Sequence, residues 1–373
     1  MTLHVIARID RTAEALVIQW EDGHCSSFHY VWLRDNAPEN RHPNGQRLVD
    51  TVVISLDSIP AHVVLNGTLD ITWADDGITS RFDPAWLRNN AYEPDEVERR
   101  NMRPTLWQAA EIIPIIRHYG YDHLCDEDAA LREMLQDVRD YGFTMLRDVP
   151  TEPGMVLEVV KLFGYVRETN YGRLFDVKVT PNPTNLAYTG LALPSHTDNP
   201  YRHPVPTLQV LHCLSNSIDG GDNTLVDGFF VAEVLRRDAP EKFDLLAKTP
   251  VKFRYLSKDT DLQHKTTIIE TDARSRLKAI HFNSRSIQPF YVEPDKMKDF
   301  YSAYQAFGRL LEDGAHKITL KLDAGDVLLF DNQRILHGRS GYGGNGGERH
   351  LQGCYADKDG LLSKLAILSE QRA

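Results

Sequence analysis

Cysteine is scarce: Cys25, Cys125, Cys213 and Cys354 are spread over 373 residues. No two of them form a CxxC pair or a disulfide-framework spacing, which excludes a disulfide-built scaffold. The pattern suits a reducing compartment, with each thiol read as a small buried side chain. Positive charge is also in deficit, with 42 Lys and Arg against 53 Asp and Glu and a formal net charge of -11. That argues against nucleic acid or an anionic membrane as the main partner, though it leaves room for a local cationic pocket. No apolar run approaches the length of a membrane span, and the start, MTLHVIARIDRTAEAL, carries charges where a signal peptide needs an apolar stretch. A cytoplasmic protein with no membrane partner is the expectation. Internal repeats and low-complexity tracts are missing too.

What remains is an ordinary globular composition, 42% hydrophobic and 25% charged, long enough for a large domain and a small one. Residues 1–92 read as a small β-rich domain. Leu16 to Trp20 and Ser27 to Trp32 pair as a hairpin around Glu21-Asp22-Gly23, and Thr51 to Ile54 and Leu69 to Trp73 add strands. Four of the five tryptophans, Trp20, Trp32, Trp73 and Trp86, fall in this unit, and Trp32, Trp73 and Trp86 are expected to form its core. Residues 93–104, charged up to Pro104, read as a solvated linker. From residue 105 to 373 helical spacing comes first, as in Ala129 to Val138 with Gly142 as the stop, and spaced strands follow. That order predicts an α+β domain built on a jelly-roll barrel with flanking helices.

The chemistry centres on Ser195-His196-Thr197-Asp198-Asn199-Pro200. Residues i and i+2 of an extended strand share a face, so His196 and Asp198 can aim at one point. A third ligand is available in Ile335-Leu336-His337-Gly338-Arg339. Two imidazoles and one carboxylate on one face of a metal, with the other face open, suit non-haem Fe(II) and oxygen. An HxD pair alone occurs in many surface loops, so the context matters: a strand rich in Leu and Phe, then Asn332, Arg334 and His337, with Arg349 twelve residues beyond His337.

In these residues the chain resembles the Fe(II)/2-oxoglutarate dioxygenases of the taurine-dioxygenase type. The resemblance implies that His196, Asp198 and His337 hold iron and that Arg349 pairs with the distal carboxylate of 2-oxoglutarate, with O2 as the second co-substrate. A planar guanidinium suits that task because it grips a carboxylate through two charge-assisted hydrogen bonds. Gly220-Gly221-Asp222-Asn223-Thr224 is similar to the family's GGDT element, placing Asn223 or Thr224 at 2-oxoglutarate; it reads equally well as a β-turn. His203 and His212 lack partners at ligand spacing, and His350 is expected to face away from Arg349 on its strand.

A narrower resemblance runs through nearly the whole chain. Val31-Trp32-Leu33-Arg34-Asp35-Asn36 is similar to a signature of the γ-butyrobetaine hydroxylase family, and Asn185 to Thr189, Leu211 to Cys213, Val226 to Gly228 and His350 to Asp357 follow in family order. In that family the first block runs into cysteines that bind a structural zinc. Here Ala37-Pro38-Glu39-Asn40-Arg41-His42 offers no thiolate, so a fold without structural zinc is expected. The family's substrates are small trimethylammonium compounds, which aromatic faces attract by cation–π interaction. The resemblance puts that cage on Tyr171, Phe175, Tyr188 and Tyr355, and the anionic end of the substrate at Asn185, Asn283, Asn199 and Arg285. Three amides and a guanidinium suit a phosphonate better than a carboxylate. The leading expectation is therefore hydroxylation of 2-(trimethylamino)ethylphosphonate at the carbon bearing phosphorus, with γ-butyrobetaine hydroxylation to L-carnitine as the alternative. Family analogy further implies a homodimer.

Two readings from other classes compete. A non-catalytic ligand-binding barrel predicts a broken triad or a missing arginine, and neither defect is present. A zinc hydrolase using the same three ligands would need a separate general base and has no use for Arg349.

Overall fold

The computed structural model describes residues 4–100, 103–179, 186–342 and 347–370. The chain divides into two compact units, Met1–Arg103 and Pro104–Ala373. In the smaller unit, one three-stranded antiparallel sheet joins Ile6–Arg11, Ala15–Trp20 and Cys25–His29, and a second joins Pro60–Asn66, Thr68–Trp73 and Thr79–Phe82. Leu16, Ile18, Phe28, Leu69, Ile71 and Trp73 alternate inward and close its core. Trp73 is fully buried, whereas Trp32 and Trp86 are half-buried and pack on that core with ring centroids 5.6 Å apart.

Three local expectations are corrected in this unit. Tyr30 to Trp32, expected to continue the hairpin strand, lies instead in the helix Tyr30–Asp35, which buries Tyr30 and Leu33. Thr51–Val53 is a short 3-10 turn with Val52 and Val53 exposed, since Asp50 accepts from the Val52 N–H and starts a turn in place of a strand. The stretch expected to be a solvated linker contains the helix Pro94–Arg100. It is held down where Glu93 accepts from the Ser27 N–H at 2.6 Å and where buried Glu96 meets Arg88 at 3.0 Å. Ion pairing overrides the bias of a charge-rich segment toward solvent. Glu39 accepts from the Ser80 hydroxyl at 2.5 Å and His42 Nδ1 from the Asn44 N–H at 3.2 Å, so both polar groups already serve the loop.

The larger unit is a two-sheet barrel. Its larger sheet runs Phe175–Val177, Arg349–Ala356, Leu208–Asn216, Val327–Asp331, Phe143–Arg147, His118–Gly120, with Val166–Arg167 also pairing to Arg349–Ala356. The smaller runs Leu193–His196, Ile335–Arg339, Asn223–Asp227, Lys317–Leu320. Period-two alternation decides which side chains meet. Leu208, Val210, Leu329 and Cys354 face a layer that includes residues of Asp128–Tyr141, Met155–Lys161 and Lys358–Glu370. Leu211, Cys213, Leu328 and Leu351 face inward, toward Leu225, Ile318 and Ile335 of the smaller sheet. Gly228–Asp238, Pro240–Lys248 and Met297–Glu312 cover the other flank through Leu235, Phe243, Phe300 and Phe307. The helix over Ala129 to Val138 ends as expected at Gly142, whose φ of 84° an L side chain rarely adopts.

One buried ion pair anchors the turn that leads into the strand bearing His337. Arg334 donates from Nε and Nη2 to Asp227 at 3.1 and 2.7 Å, and to the carbonyls of Asp140 and Thr105 at 2.8 and 2.6 Å. Asp227 in turn accepts from the Phe229 and Phe230 N–H groups at the start of the helix Gly228–Asp238. Removing one partner of such a pair strands the other charge without water and costs roughly 3–5 kcal/mol.

Candidate active site

Strand register brings the two histidines together. Leu193–His196 pairs antiparallel with Ile335–Arg339, and His196 stands directly opposite His337. Their ring centroids are 4.2 Å apart. The intervening backbone is tight: a Cβ on Gly338 would meet the Leu193 carbonyl oxygen at 2.6 Å and the Thr224 hydroxyl at 2.7 Å. Asp198 lies just beyond the strand, 3.4 Å from His196 Nε2 and 3.9 Å from His337 Nε2. One ligand atom from each of the three lies within 4.8 Å of the others.

The segment bearing Asp198 is fastened by its backbone. Asn332 is fully buried; its Oδ1 accepts from the Asp198 N–H at 2.8 Å, and its Nδ2 donates to the Asp198 and Pro206 carbonyls, each at 3.0 Å. On the other side the Thr197 N–H donates to the Phe282 carbonyl at 2.9 Å, and Asn283 Nδ2 donates to the Thr197 carbonyl at 3.0 Å. His196 Nδ1 lies 2.8 Å from the Pro194 carbonyl, which fixes the ring as an Nδ1–H donor and frees Nε2. Burial, with His196 alongside, pushes His337 down to about 3, and burial and the charge of Arg285 lower His196. Both imidazoles are therefore neutral at ordinary pH. Burial alone would raise Asp198, but its contacts with His196 and His337 and the charge of Arg285 outweigh that and hold the carboxylate below its usual range. Two neutral nitrogens and one anionic oxygen make a donor set for a divalent ion such as Fe(II).

These side chains face a cavity of about 430 Å³. At one side of it Arg349 is 5% exposed, with Nη2 on Asn223 Oδ1 at 3.3 Å and with Nε and Nη1 buried and unpartnered among the described residues. Arg339, two residues after His337, is already committed to the carbonyls of Thr189 and Leu191 at 2.6 and 2.8 Å. Arg349 is thus the guanidinium with faces left for a carboxylate, and a buried charge in that state calls for an anion. Asn223 lines the cavity beside it, whereas Thr224, the next residue of the strand, does not.

The four rings expected to form a cage all line the cavity. Phase along the strand Arg349–Ala356 sends Arg349, Leu351 and Tyr355 inward, while His350 turns the other way to pair with Asp176 at 2.7 Å. Phe175 lies 5.2 Å from Tyr355 and 6.0 Å from Tyr171, and its ring covers Gly353, where a Cβ would come within 2.6 Å. Tyr171 lies in the turn before the strand Phe175–Val177. Two further rings enter the wall unforeseen. Tyr201 and Tyr255 are stacked at 5.3 Å, and Tyr255 meets Tyr171 edge-on at 5.8 Å. Tyr201 lies three residues after Asp198 and was open to suspicion on that ground; Tyr255 comes from the hairpin of Val251–Leu256 and Asp261–Thr266 and has no local signal.

The expected anion-binding group is thinner than its sequence suggests. Asn283 lines the cavity, but its Nδ2 already gives one N–H to the Thr197 carbonyl and its Oδ1 accepts from the Arg285 N–H at 3.1 Å. Asn199, at a left-handed φ of 57°, accepts from Tyr201 through Oδ1 and keeps a buried, unpartnered Nδ2. Arg285 lines the mouth with an exposed side chain. Asn185 lies outside the described residues. Of the polar side chains elsewhere, His203 stacks on His264 at 4.9 Å, and His212 is fully buried.

Residues 101–355 match the taurine catabolism dioxygenase TauD, TfdA family, and residues 7–88 match the gamma-butyrobetaine hydroxylase-like N-terminal family. The protein is an Fe(II)- and 2-oxoglutarate-dependent dioxygenase, and the three donors and the unpaired guanidinium just described fit that cofactor pair. The chain is 38% identical to gamma-butyrobetaine dioxygenase of Pseudomonas sp. (strain AK-1), covering 95% of this chain and 94% of that protein. It is 31% identical to the Homo sapiens gamma-butyrobetaine dioxygenase, with 96% and 95% covered, and 31% identical to the mitochondrial trimethyllysine dioxygenase of Bos taurus, with 92% and 83% covered. The chain belongs to the γ-butyrobetaine hydroxylase family of these dioxygenases. No helix among the described residues is long and apolar enough to cross a membrane.

Proposed function

We propose that this enzyme hydroxylates a small trimethylammonium zwitterion and that the substrate is γ-butyrobetaine, giving L-carnitine. Iron is held by His196, Asp198 and His337, and 2-oxoglutarate by Arg349 with Asn223. When bound, iron and 2-oxoglutarate supply the oxidising chemistry: O2 is split between the keto acid, which leaves as succinate and CO2, and the substrate C–H bond, which becomes C–OH. The chain's own residues position and exclude. Tyr171, Phe175, Tyr188 and Tyr355 offer ring faces to a cation that cannot donate hydrogen bonds, and Tyr201 and Tyr255 extend that wall.

The observation that carries the choice of substrate is that Asn283 already gives one amide N–H to the Thr197 carbonyl and its Oδ1 to the Arg285 N–H. With Asn283 half committed to Thr197, the donors counted here for the anionic end are Asn199 Nδ2, Arg285 and at most one N–H of Asn283. That set suits a planar carboxylate, and the larger donor supply argued for a phosphonate shrinks accordingly. The names of the relatives support the same direction. Incubation with γ-butyrobetaine and, separately, 2-(trimethylamino)ethylphosphonate, with succinate and hydroxylated product quantified together, tests it. Coupled product is expected from γ-butyrobetaine; coupled turnover of the phosphonate alone would overturn the choice. By family analogy we also read the enzyme as a cytoplasmic homodimer, for which light scattering of the purified protein should give twice the 42.4 kDa chain mass.

A further inference from the structure

Tyr355 belongs to the aromatic wall by its ring, yet its hydroxyl is engaged elsewhere. It donates to Asp198 Oδ2 at 2.8 Å, nearer than His196 Nε2 at 3.4 Å or His337 Nε2 at 3.9 Å stands to the same carboxylate. Tyr355 is 3% exposed, so no bulk water competes for that bond. A phenol is un-ionised at ordinary pH and so donates to the carboxylate. Asn332 fixes the main chain of Asp198 but does not touch its carboxylate, which remains free to turn about its last torsion. A charge-assisted hydrogen bond to one oxygen removes that freedom.

We propose that Tyr355 is a positioning residue for the metal carboxylate: its hydroxyl sets the orientation of Asp198 while its ring faces the substrate. The inference rests on the reading above, in which Asp198 holds iron and the wall takes a methylated ammonium group. One side chain then serves two sites, and the two services separate cleanly by substitution. Tyr355→Phe keeps the ring and deletes the donor; Tyr355→Leu deletes both.

Three measurements on the full-length protein decide it: anaerobic Fe(II) titration with 2-oxoglutarate present, calorimetric binding of γ-butyrobetaine to the metal-free protein, and thermal melting. For Tyr355→Phe we expect Fe(II) affinity to fall about 10- to 100-fold, the range for losing a partner that orients a metal ligand. Its γ-butyrobetaine affinity and melting temperature should stay at wild-type values, and the keto-acid charge-transfer absorption should be recovered at excess iron. Tyr355→Leu should weaken both ligands. Wild-type iron affinity in Tyr355→Phe overturns the inference. So does a loss of γ-butyrobetaine affinity in Tyr355→Phe as large as in Tyr355→Leu, because the hydroxyl would then serve the substrate. A melting temperature that falls in step with iron affinity overturns it as well, by making the loss a loss of fold. If Tyr355→Leu binds γ-butyrobetaine as wild type does, the cage reading falls, and the iron titration of Tyr355→Phe still decides the positioning role.

Discussion

Asp198→Ala will abolish iron retention and turnover while the protein still folds. The two imidazoles that remain are neutral, so nothing offsets the charge of a divalent ion, and one of three coordination points is gone. The loss should exceed the roughly 10- to 100-fold that deletion of a merely supporting partner costs. The fold should survive because Asn332 and Phe282 grip the main chain of this segment, which alanine retains. Anaerobic Fe(II) titration, succinate production and thermal melting of the same preparation check all three statements. Activity near the wild-type level would refute the assignment of the triad.

Arg349→Lys is the second large effect, and its direction differs: a raised 2-oxoglutarate requirement with iron affinity preserved. A lysine keeps the charge but replaces a planar fork by a single point donor. Losing one charge-assisted hydrogen bond, worth roughly 1.5–3 kcal/mol, corresponds to an increase of about 10- to 100-fold in the co-substrate concentration needed. The environment sharpens the expectation. Nε and Nη1 of Arg349 have no hydrogen-bond partner among the described residues, whereas Arg339 is already committed to the Thr189 and Leu191 carbonyls. Steady-state kinetics over a range of 2-oxoglutarate concentrations reads the shift. An unchanged dependence would assign the co-substrate to a different cation.

The parts of the site that could be read in the linear sequence are those tied to short spacing or to strand phase. His196 and Asp198 are two residues apart. Arg349, Leu351 and Tyr355 enter the same cavity because odd positions of one strand do, and His350 leaves it for the same reason. The histidine pair itself needed the register between two strands separated by well over a hundred residues, which spacing cannot supply; resemblance did. What escaped depends on tertiary hydrogen bonds. Nothing in Phe282-Asn283-Ser284-Arg285 says that the amide of Asn283 gives one of its N–H groups to Thr197. Tyr255 reaches the wall from a hairpin with no motif of its own. In the smaller unit, β-branched residues at Thr51 to Ile54 suggested a strand that Asp50 converts into a turn, and the charged run after Glu93 became helix because Arg88 and Ser27 were waiting for its carboxylates.

The grip of Asn332 on the Asp198 main chain, together with the opposed histidines, means that hydrogen bonds and strand pairing of the polypeptide hold the three donors side by side. Such a donor set has little power to refuse impostors. Two nitrogens and an oxygen bind nickel, copper or zinc more strongly than ferrous iron by intrinsic affinity, and no soft sulfur ligand tilts the choice. Loading with the right ion is therefore governed by which metals the cell leaves free, a task the polypeptide delegates to its surroundings.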